Sequence, residues 1–244
     1  LNSSSIQLFG FGGDALPLKN SDNRFYDMPE VAIKVFDGAD GVFNSGDYLL
    51  FYGLGKGVFN KANNSHINPY SDQIYYYIKI GSSEGKRITE LELSNESPSL
   101  IVDNYMDYKF HEIDEYNIAK MGRRWFGDRF DFENEKTFDF EFTNLITQEP
   151  VNVSVHGAAV SQATSSMTVE LNGSVLGSMN FSATSKGNLA SASQLNTTSK
   201  VNTQQLSVKL NYDNKGLPNS TAFVDYISVS GVCDLKFNNQ TLLF

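Results

Sequence analysis

The chain of 244 residues contains a single cysteine, Cys233, and this scarcity excludes two kinds of stabilisation. One cysteine cannot form an internal disulfide, and it cannot build a cysteine-rich zinc site. A chain of this length can bury enough apolar surface to fold without either device. Because disulfides are optional in large exported domains, their absence does not exclude an extracellular protein.

Histidine is also scarce, which narrows the chemistry that the chain can perform. The three histidines, His66, His111 and His156, lie far apart and form no metal-binding spacing, and no Gly-x-Ser-x-Gly motif occurs. A cysteine nucleophile needs a base within hydrogen-bond reach, and no local signature surrounds Cys233. We therefore expect no catalytic residue in this chain.

The chain also has few basic residues and no long apolar run. Lys and Arg number 19 against 28 Asp and Glu, which gives a net charge of −9. An acidic surface repels phosphate backbones and anionic lipid surfaces, so we expect no nucleic-acid partner. The longest apolar runs have the length of a strand, so we expect no membrane span.

Aromatic residues are plentiful, and they favour β-structure. The chain has 18 Phe and 12 Tyr against one Trp, and Ser, Thr and Asn crowd its second half. Phe, Tyr, Val, Ile and Thr suit the pleated surface of a sheet. This composition is typical of a secreted or cell-surface β-protein.

Alternating apolar and polar residues predict an all-β fold with two parts. In the first half the pattern predicts strands at residues 6–9, 30–36, 48–52, 73–80 and 87–93. In the second half it predicts strands at 137–142, 151–156, 205–212, 222–229, 235–237 and 242–244, and a hairpin of 167–171 with 174–176 around Asn172-Gly173. We expect an N-terminal antiparallel β domain followed by a jelly-roll-like β-sandwich.

Two stretches lack a clear strand pattern. The pattern changes at residues 95–130, where residues 105–120 show a weak helical period at best. Residues 183–203, rich in Ser, Thr, Asn and Ala, are predicted to be a long surface crossing. We place the domain border between residues 115 and 116, giving domains 1–115 and 116–244, within an interval of 95–130.

The run from residue 36 to residue 55 is rich in Gly, Asp and Asn, and it permits two interpretations. Gly and Asp are typical of tight turns, so the run can be a turn that launches the strand at 48–52. Crowded oxygen donors also suit a calcium ion, with Asp40, Asn44 and Asp47 as the candidate ligands. The positions that should begin a helix-flanked calcium loop hold Phe36 and Gly38, which favours the turn.

A second candidate site is the pair Arg124 and Trp125, in the region of densest positive charge. A Trp beside Arg can form a ligand platform through stacking or cation–π contact. It can equally be a core or interdomain anchor, because a single Trp is highly buried on average.

The order of several motifs resembles a known family. The motifs are I-Q-L-F-G-F-G-G-x-x-L-P at 6–17, D-G-x-F-x-x-G-D-Y-x-L-F-Y-G at 40–53, G-R-x-W-F-G-D at 122–128, and Val224-Asp225-Tyr226-Ile227. Together they resemble the N-terminal, non-catalytic region of PorU-like sortases of the type IX secretion system in Bacteroidetes, which are relatives of gingipain-type cysteine peptidases. The four-residue motif is similar to the strand that precedes the peptidase domain in that family.

The resemblance implies a protein on the extracellular face of the outer membrane. The full-length protein would cleave a C-terminal sorting signal from secreted cargo and join the cargo to an anionic lipopolysaccharide. No stretch matches the surroundings of the family's catalytic Cys and His, so this chain would be a non-catalytic accessory region. Its partners would be its own downstream peptidase domain, secreted cargo and other secretion-system proteins.

A different class of function stays open at this stage. The chain can be a free-standing cell-surface module that binds carbohydrate or protein through exposed aromatic rings. The candidate rings are those of Tyr70, Tyr75 and Trp125.

Overall fold

Antiparallel strand pairs form all the named sheets of the described chain. The computed structural model describes residues 1–13, 16–17, 19–22, 24–53, 59–61, 64–68, 70–92, 97 and 99–236. Contacts group the chain into two units, Leu1–Ser97 and Pro98–Phe244. The all-β prediction is confirmed. In the part of the chain that the structure describes, no helix is long and apolar enough to cross a membrane.

The first unit combines a short 3₁₀ turn with five short strands. The elements are η1 (Ser3–Ser5), β1 (Ile6–Phe9), β2 (Glu30–Val31), β3 (Ile33–Phe36), β4 (Tyr48–Phe51) and β5 (Tyr77–Ile80). One sheet has the order β2-β1-β5, and β3 pairs with β4 in a second sheet.

A small core and one arginine hold these elements together. Ile6, Leu8 and Ile33 are fully buried. The Arg87 guanidinium donates to the carbonyl oxygens of Ser3 and Ser4 at 2.9 Å each. A charged donor that satisfies several backbone oxygens fixes the η1 turn against the chain near residue 87.

The second unit is a sandwich of two antiparallel sheets. Its strands are β6 (Asn104–Glu112), β7 (Gly127–Phe130), β8 (Glu135–Glu141), β9 (Val151–Val160), β10 (Ser165–Leu171), β11 (Ser174–Phe181), β12 (Ser191–Ser199), β13 (Gln205–Asp213) and β14 (Thr221–Asp234). The four-stranded sheet has the order β11-β10-β13-β8. The five-stranded sheet has the order β12-β9-β14-β6, with β7 also paired to β14.

The core of the sandwich lies between the facing sides of these sheets. Alternate residues of each strand supply it, as the period of two requires. It includes Val153 and Val155 of β9, Val169 of β10, Leu210 of β13 and Ile227 of β14, all fully buried. We call the side of the five-stranded sheet turned away from this core its outer face.

The predicted hairpin is confirmed. Strands β10 and β11 pair around Asn172 and Gly173, whose φ angles are 50° and 79°. Two successive positive φ angles define the type I′ turn that Asn-Gly favours. Asn172 Oδ1 also accepts a hydrogen bond from the backbone N–H of Ser207 at 2.8 Å.

The prediction of a surface crossing at residues 183–203 is wrong for its central nine residues. Strand β12 lies there and pairs with β9 over nine residues, from Ser191 to Ser199. Its exposed residues are Ala192, Gln194, Asn196 and Thr198, and Leu195 packs against the core. An edge strand with so few apolar residues carries almost no hydrophobic alternation, which is why composition alone indicates a loop.

Residues 95–130, which show no clear strand pattern in the sequence, contain two strands. Strand β6 occupies Asn104–Glu112 and pairs with β14 along its whole length, and β7 occupies Gly127–Phe130. Strand β6 alternates between exposed and half-buried residues over its first half. Its outer side carries Tyr108 and Phe110, whereas His111 and Lys109 lie opposite the core residues Ile227 and Val229, so the usual alternation is reversed.

Several strand boundaries differ from those predicted. The predicted strand 30–36 is divided into β2 and β3, which belong to different sheets, and the run 73–80 forms a strand only over Tyr77–Ile80. At 87–93 a bridge from Arg87 to Ile33 replaces a strand. Residue 93, residues 237–240 and the predicted strand 242–244 lie outside the described residues, and residues 235–236 are not in a strand.

The border between the two units falls between Ser97 and Pro98, inside the predicted interval. The predicted border after residue 115 would separate β6 from the sandwich, although β6 and β14 are paired over nine residues. The division into two domains is kept as a prediction.

Candidate functional site at the bulge of strand β14

Strand β14 contains a β-bulge at Asp225, and this bulge creates the site. The inward residues are Val224 and then Ile227, a spacing of three instead of two. Val224 is opposite Gly157 of β9 and Tyr226 is opposite His156, so Asp225 has no opposite residue in that register. An extra residue shifts the alternation, which puts Asp225 and Tyr226 together on the outer face.

Asp225 is a buried carboxylate that pairs with one arginine. Its side chain is 7% exposed, and Arg124 Nη2 lies 3.5 Å from its Oδ2. The Arg124 side chain is 59% exposed, and its guanidinium lies 5.2 Å from the centre of the Phe126 ring. The pair therefore joins a buried group on the sheet to a group at the surface.

Two further carboxylates raise the cost of a charge on Asp225. Burial is the main reason that the pKa of Asp225 is raised to about 6, and Arg124 lowers it in part. Glu112 and Asp114 raise it again through repulsion. The pKa of Asp114 is itself raised by burial and by Glu112. The site thus holds three carboxylates and one guanidinium, and Asp225 can change its charge near neutral pH.

Arg124 belongs to a loop that crosses the outer face. We call residues 113–126, between β6 and β7, the strap. A bridge joins its two arms, since Phe126 N donates to Tyr116 O at 2.9 Å and Tyr116 N donates to Phe126 O at 2.7 Å. At its tip, Asn117 accepts from Met121 N at 3.1 Å and donates to Gly122 O at 3.2 Å.

Aromatic packing fixes the base of the strap. Phe126 is 4% exposed and forms a small apolar cluster with Ala158 and Phe223. The ring of Tyr116 lies 5.3 Å from that of Phe223. The two ends of the strap approach so closely that a Cβ on Gly127 would lie 2.5 Å from the Ile113 carbonyl oxygen. The base is therefore packed, whereas the tip, with Met121 at 74% exposure, is at the surface.

A tyrosine–histidine pair lies beside the bulge. The rings of Tyr226 and His156 stack with centroids 4.3 Å apart, and the Tyr226 hydroxyl lies 2.9 Å from His156 Nε2. Burial raises the pKa of Tyr226 to about 12. The phenol therefore stays protonated at neutral pH and fills the outer face as a neutral hydrogen-bonding group.

Cys233 lies elsewhere in the fold, in the core of the sandwich. Its side chain is fully buried, and burial raises its pKa to about 11. The thiolate is the reactive form of cysteine, so this thiol is a poor nucleophile. The position argues against catalysis by Cys233.

The three candidate calcium ligands act as parts of tight turns. Asp40 Oδ1 accepts from Val42 N at 2.8 Å, and Asp47 Oδ2 accepts from Asn44 N at 2.7 Å. Asn44 Nδ2 donates to Val42 O at 3.3 Å. Within the described residues no group of three His, Cys, Asp or Glu side chains could hold a metal ion. This geometry accounts for the turn, and calcium binding stays a prediction.

Of the predicted pair, Arg124 lies at the site and Trp125 lies beside it. Trp125 is 40% exposed, whereas the next residue, Phe126, is the buried aromatic of the strap. An interdomain role for the pair stays a prediction.

Sequence reasoning missed Asp225, Glu112 and Asp114. The sequence held one signal, a break in the alternation of apolar residues. Ala222 and Val224 are two residues apart, as are Ile227 and Val229, but Val224 and Ile227 are three residues apart. A polar residue at such a break indicates a bulge that re-aims its side chain.

The fold has a clear structural relative. The chain matches the crystal structure of dimeric latent PorU from Porphyromonas gingivalis with a TM-score of 0.75 and 22% identity, over 97% of this chain and 22% of that chain. At this identity the likeness establishes a PorU-like fold and nothing finer. This chain spans about a fifth of the length of that protein.

Carbohydrate-binding modules match less well. A family 35 module from Clostridium thermocellum matches at a TM-score of 0.33 and 14% identity, over 52% of this chain and 98% of that chain. The module CBM36 in complex with calcium and xylotriose matches at 0.29 and 22% identity, over 39% and 71%. These two scores are too low to support a conclusion about this chain. No protein-family model matches the sequence, and no curated protein matches it.

Proposed function

We propose that this chain is the non-catalytic accessory region of a PorU-like cell-surface cysteine peptidase, a sortase that processes the C-terminal sorting signals of secreted cargo. The observation that carries the proposal is the PorU-like fold over 97% of the chain. The ordered motifs at residues 6–17, 40–53 and 122–128 support the same family. The site at the bulge offers charge pairing between Asp225 and Arg124.

The proposal extends to location and partners. The protein acts at the outer surface of the outer membrane of a bacterium of the Bacteroidetes with a type IX secretion system. Its first partner is the peptidase domain of the same polypeptide. Secreted cargo or other secretion-system proteins are its further partners. The net charge of −9 argues against direct docking to an anionic lipopolysaccharide.

The reading frame of the source gene gives the first test. We expect the frame to continue beyond residue 244 into a domain with a paired Cys and His. A frame that ends near residue 244 would overturn the proposal. As a biochemical test, residues 1–244 alone should hydrolyse no peptide that carries a sorting signal, and turnover that Cys233→Ala abolishes would contradict the accessory role.

Carbohydrate binding is the second candidate, and ring exposure favours it. Tyr70 is 61% exposed, Tyr75 is 59% exposed and Trp125 is 40% exposed. Exposed aromatic rings provide the stacking surfaces that sugars need. Soluble glycans should bind the wild-type chain, and single Ala substitutions of these rings should weaken that binding. Binding that survives all three substitutions would exclude these rings as the site.

Calcium binding by Asp40, Asn44 and Asp47 is a separate proposal, supported by three oxygen-bearing side chains within eight residues. Bound calcium would raise the unfolding temperature above that of the chelated sample, and Asp40→Asn would remove the rise. An unchanged unfolding temperature in excess calcium would overturn the proposal.

A further inference from the structure

The strap is attached to the sandwich at two places of different chemistry. Its base is held by apolar contacts, because Phe126 is buried against Phe223 and Ala158. The arm that carries Arg124 and Trp125 is held by the contact of Arg124 with Asp225, at 3.5 Å. Apolar packing does not depend on pH, whereas an ion pair requires both charges.

Whether Asp225 carries a negative charge depends on the charged groups around it. Glu112 at the end of β6 and Asp114 at the start of the strap repel a negative charge there, and Arg124 attracts it. Tyr226, the next residue along β14, is a neutral phenol whose hydroxyl lies 2.9 Å from His156 Nε2 on β9. Regular alternation would not place residues 225 and 226 on one face of the sheet. The bulge is therefore the reason that Asp225 lies among these groups.

We propose that the strap is a proton-sensitive latch, in which ionised Asp225 holds the Arg124 arm against β14 and protonated Asp225 releases it. Protonation removes the negative charge that Arg124 pairs with. Arg124 is already 59% exposed, so it can be hydrated without unfolding the strap. Phe126, Tyr116 and Ile118, which packs against the Phe126 cluster, keep the base in place, so the release is confined to residues 119–125. The latch goes beyond the accessory role proposed above and does not depend on it.

The protein contains its own reporter for this movement. Trp125 is the single tryptophan of the chain and follows Arg124 directly. Its ring is 40% exposed, so complete release would raise its accessibility, and with it the quenching by acrylamide, at most about 2.5-fold. Quenching and fluorescence anisotropy should be measured on the 244-residue chain from about pH 8 to about pH 4, which spans the ordinary carboxyl range and the raised one.

In the wild-type chain we expect quenching to rise and anisotropy to fall as the pH decreases, with a midpoint near 6, where Asp225 titrates. Asp225→Asn should show the released values at every pH, because the amide is neutral. Arg124→Gln should do the same, and it changes an exposed side chain, so it tests the latch even if Asp225→Asn does not fold. His156→Gln is the matched control and should keep the transition.

Three results would overturn the latch. They are a wild-type signal that does not change over this range, a transition that persists in Asp225→Asn or in Arg124→Gln, and a transition that is lost in His156→Gln while Asp225 and Arg124 are intact. The last result would assign the titration to the histidine.

Discussion

The buried carboxylate Asp225 should make the sandwich less stable as the pH rises, and the size of this effect follows from its pKa. The pKa is about 6 in the folded chain against 3.8 for an ordinary Asp. The folded state therefore holds this proton more tightly than the unfolded state between these two values. Stability is lost as the pH rises through this window, and it is regained on acidification.

The magnitude is the difference of the two pKa values, 6 minus 3.8, or about two units. Each unit corresponds to about 1.4 kcal/mol, so the free energy of unfolding should fall by about 3 kcal/mol across the window. No large discount for solvent screening applies, because the side chain is 7% exposed. In a chain of this size that corresponds to roughly 6–12 °C in the unfolding temperature.

The variant Asp225→Asn isolates this contribution. Its free energy of unfolding should equal that of the wild type at about pH 4, where both side chains are neutral. At about pH 8 it should exceed the wild-type value by about 3 kcal/mol. Urea unfolding at a series of pH values measures both, and Trp125 fluorescence reports on the unit that contains Asp225. Asp139→Asn on β8 is the control, since Asp139 is exposed on the strand surface. A difference between the wild type and Asp225→Asn that stays constant with pH, or grows towards acid, would refute the reasoning.

Three other predictions concern the same unit. Gly127→Ala should cost about 1–3 kcal/mol, because its Cβ would meet backbone at 2.5 Å, whereas Gly187→Ala, in open space, should be neutral in the same urea titration. Tyr212→Phe should also lower the free energy of unfolding by about 1–3 kcal/mol in that titration, because it removes the hydroxyl that pairs with those of Ser165 and Ser220. Full stability would show that water replaces the lost hydroxyl. Cys233 should resist a thiol reagent in the native protein and react after unfolding, and rapid native labelling would contradict its burial.

The sequence predicts those strands whose inward residues are large and whose turns are specific. The hairpin at Asn172-Gly173 is one case, because both the alternation and the turn chemistry are local. Strand β12 is the opposite case. Its place in the sheet comes from hydrogen bonds to β9, which are made by the backbone and leave no mark on side-chain composition.

The candidate site could be predicted only in part, for a related reason. Arg124 stands out in the sequence, but its partner Asp225 is 101 residues away. The break between Val224 and Ile227 indicates a bulge, yet it does not say which loop covers the bulge. That contact depends on how β6 and β7 both pair with β14, which is a property of the whole sheet.

Strand β14 explains why one stretch carries both the family resemblance and the site. It is 14 residues long, and it pairs with β9 on one edge and with β7 and then β6 on the other. The change from β6 to β7 occurs around Asp225, because the chain between these two strands leaves the sheet to form the strap. A regular strand at that point would turn residue 225 or 226 into the core. The bulge keeps both on the outer face, so the residues under the strap can vary in charge while Val224 and Ile227 keep the core closed.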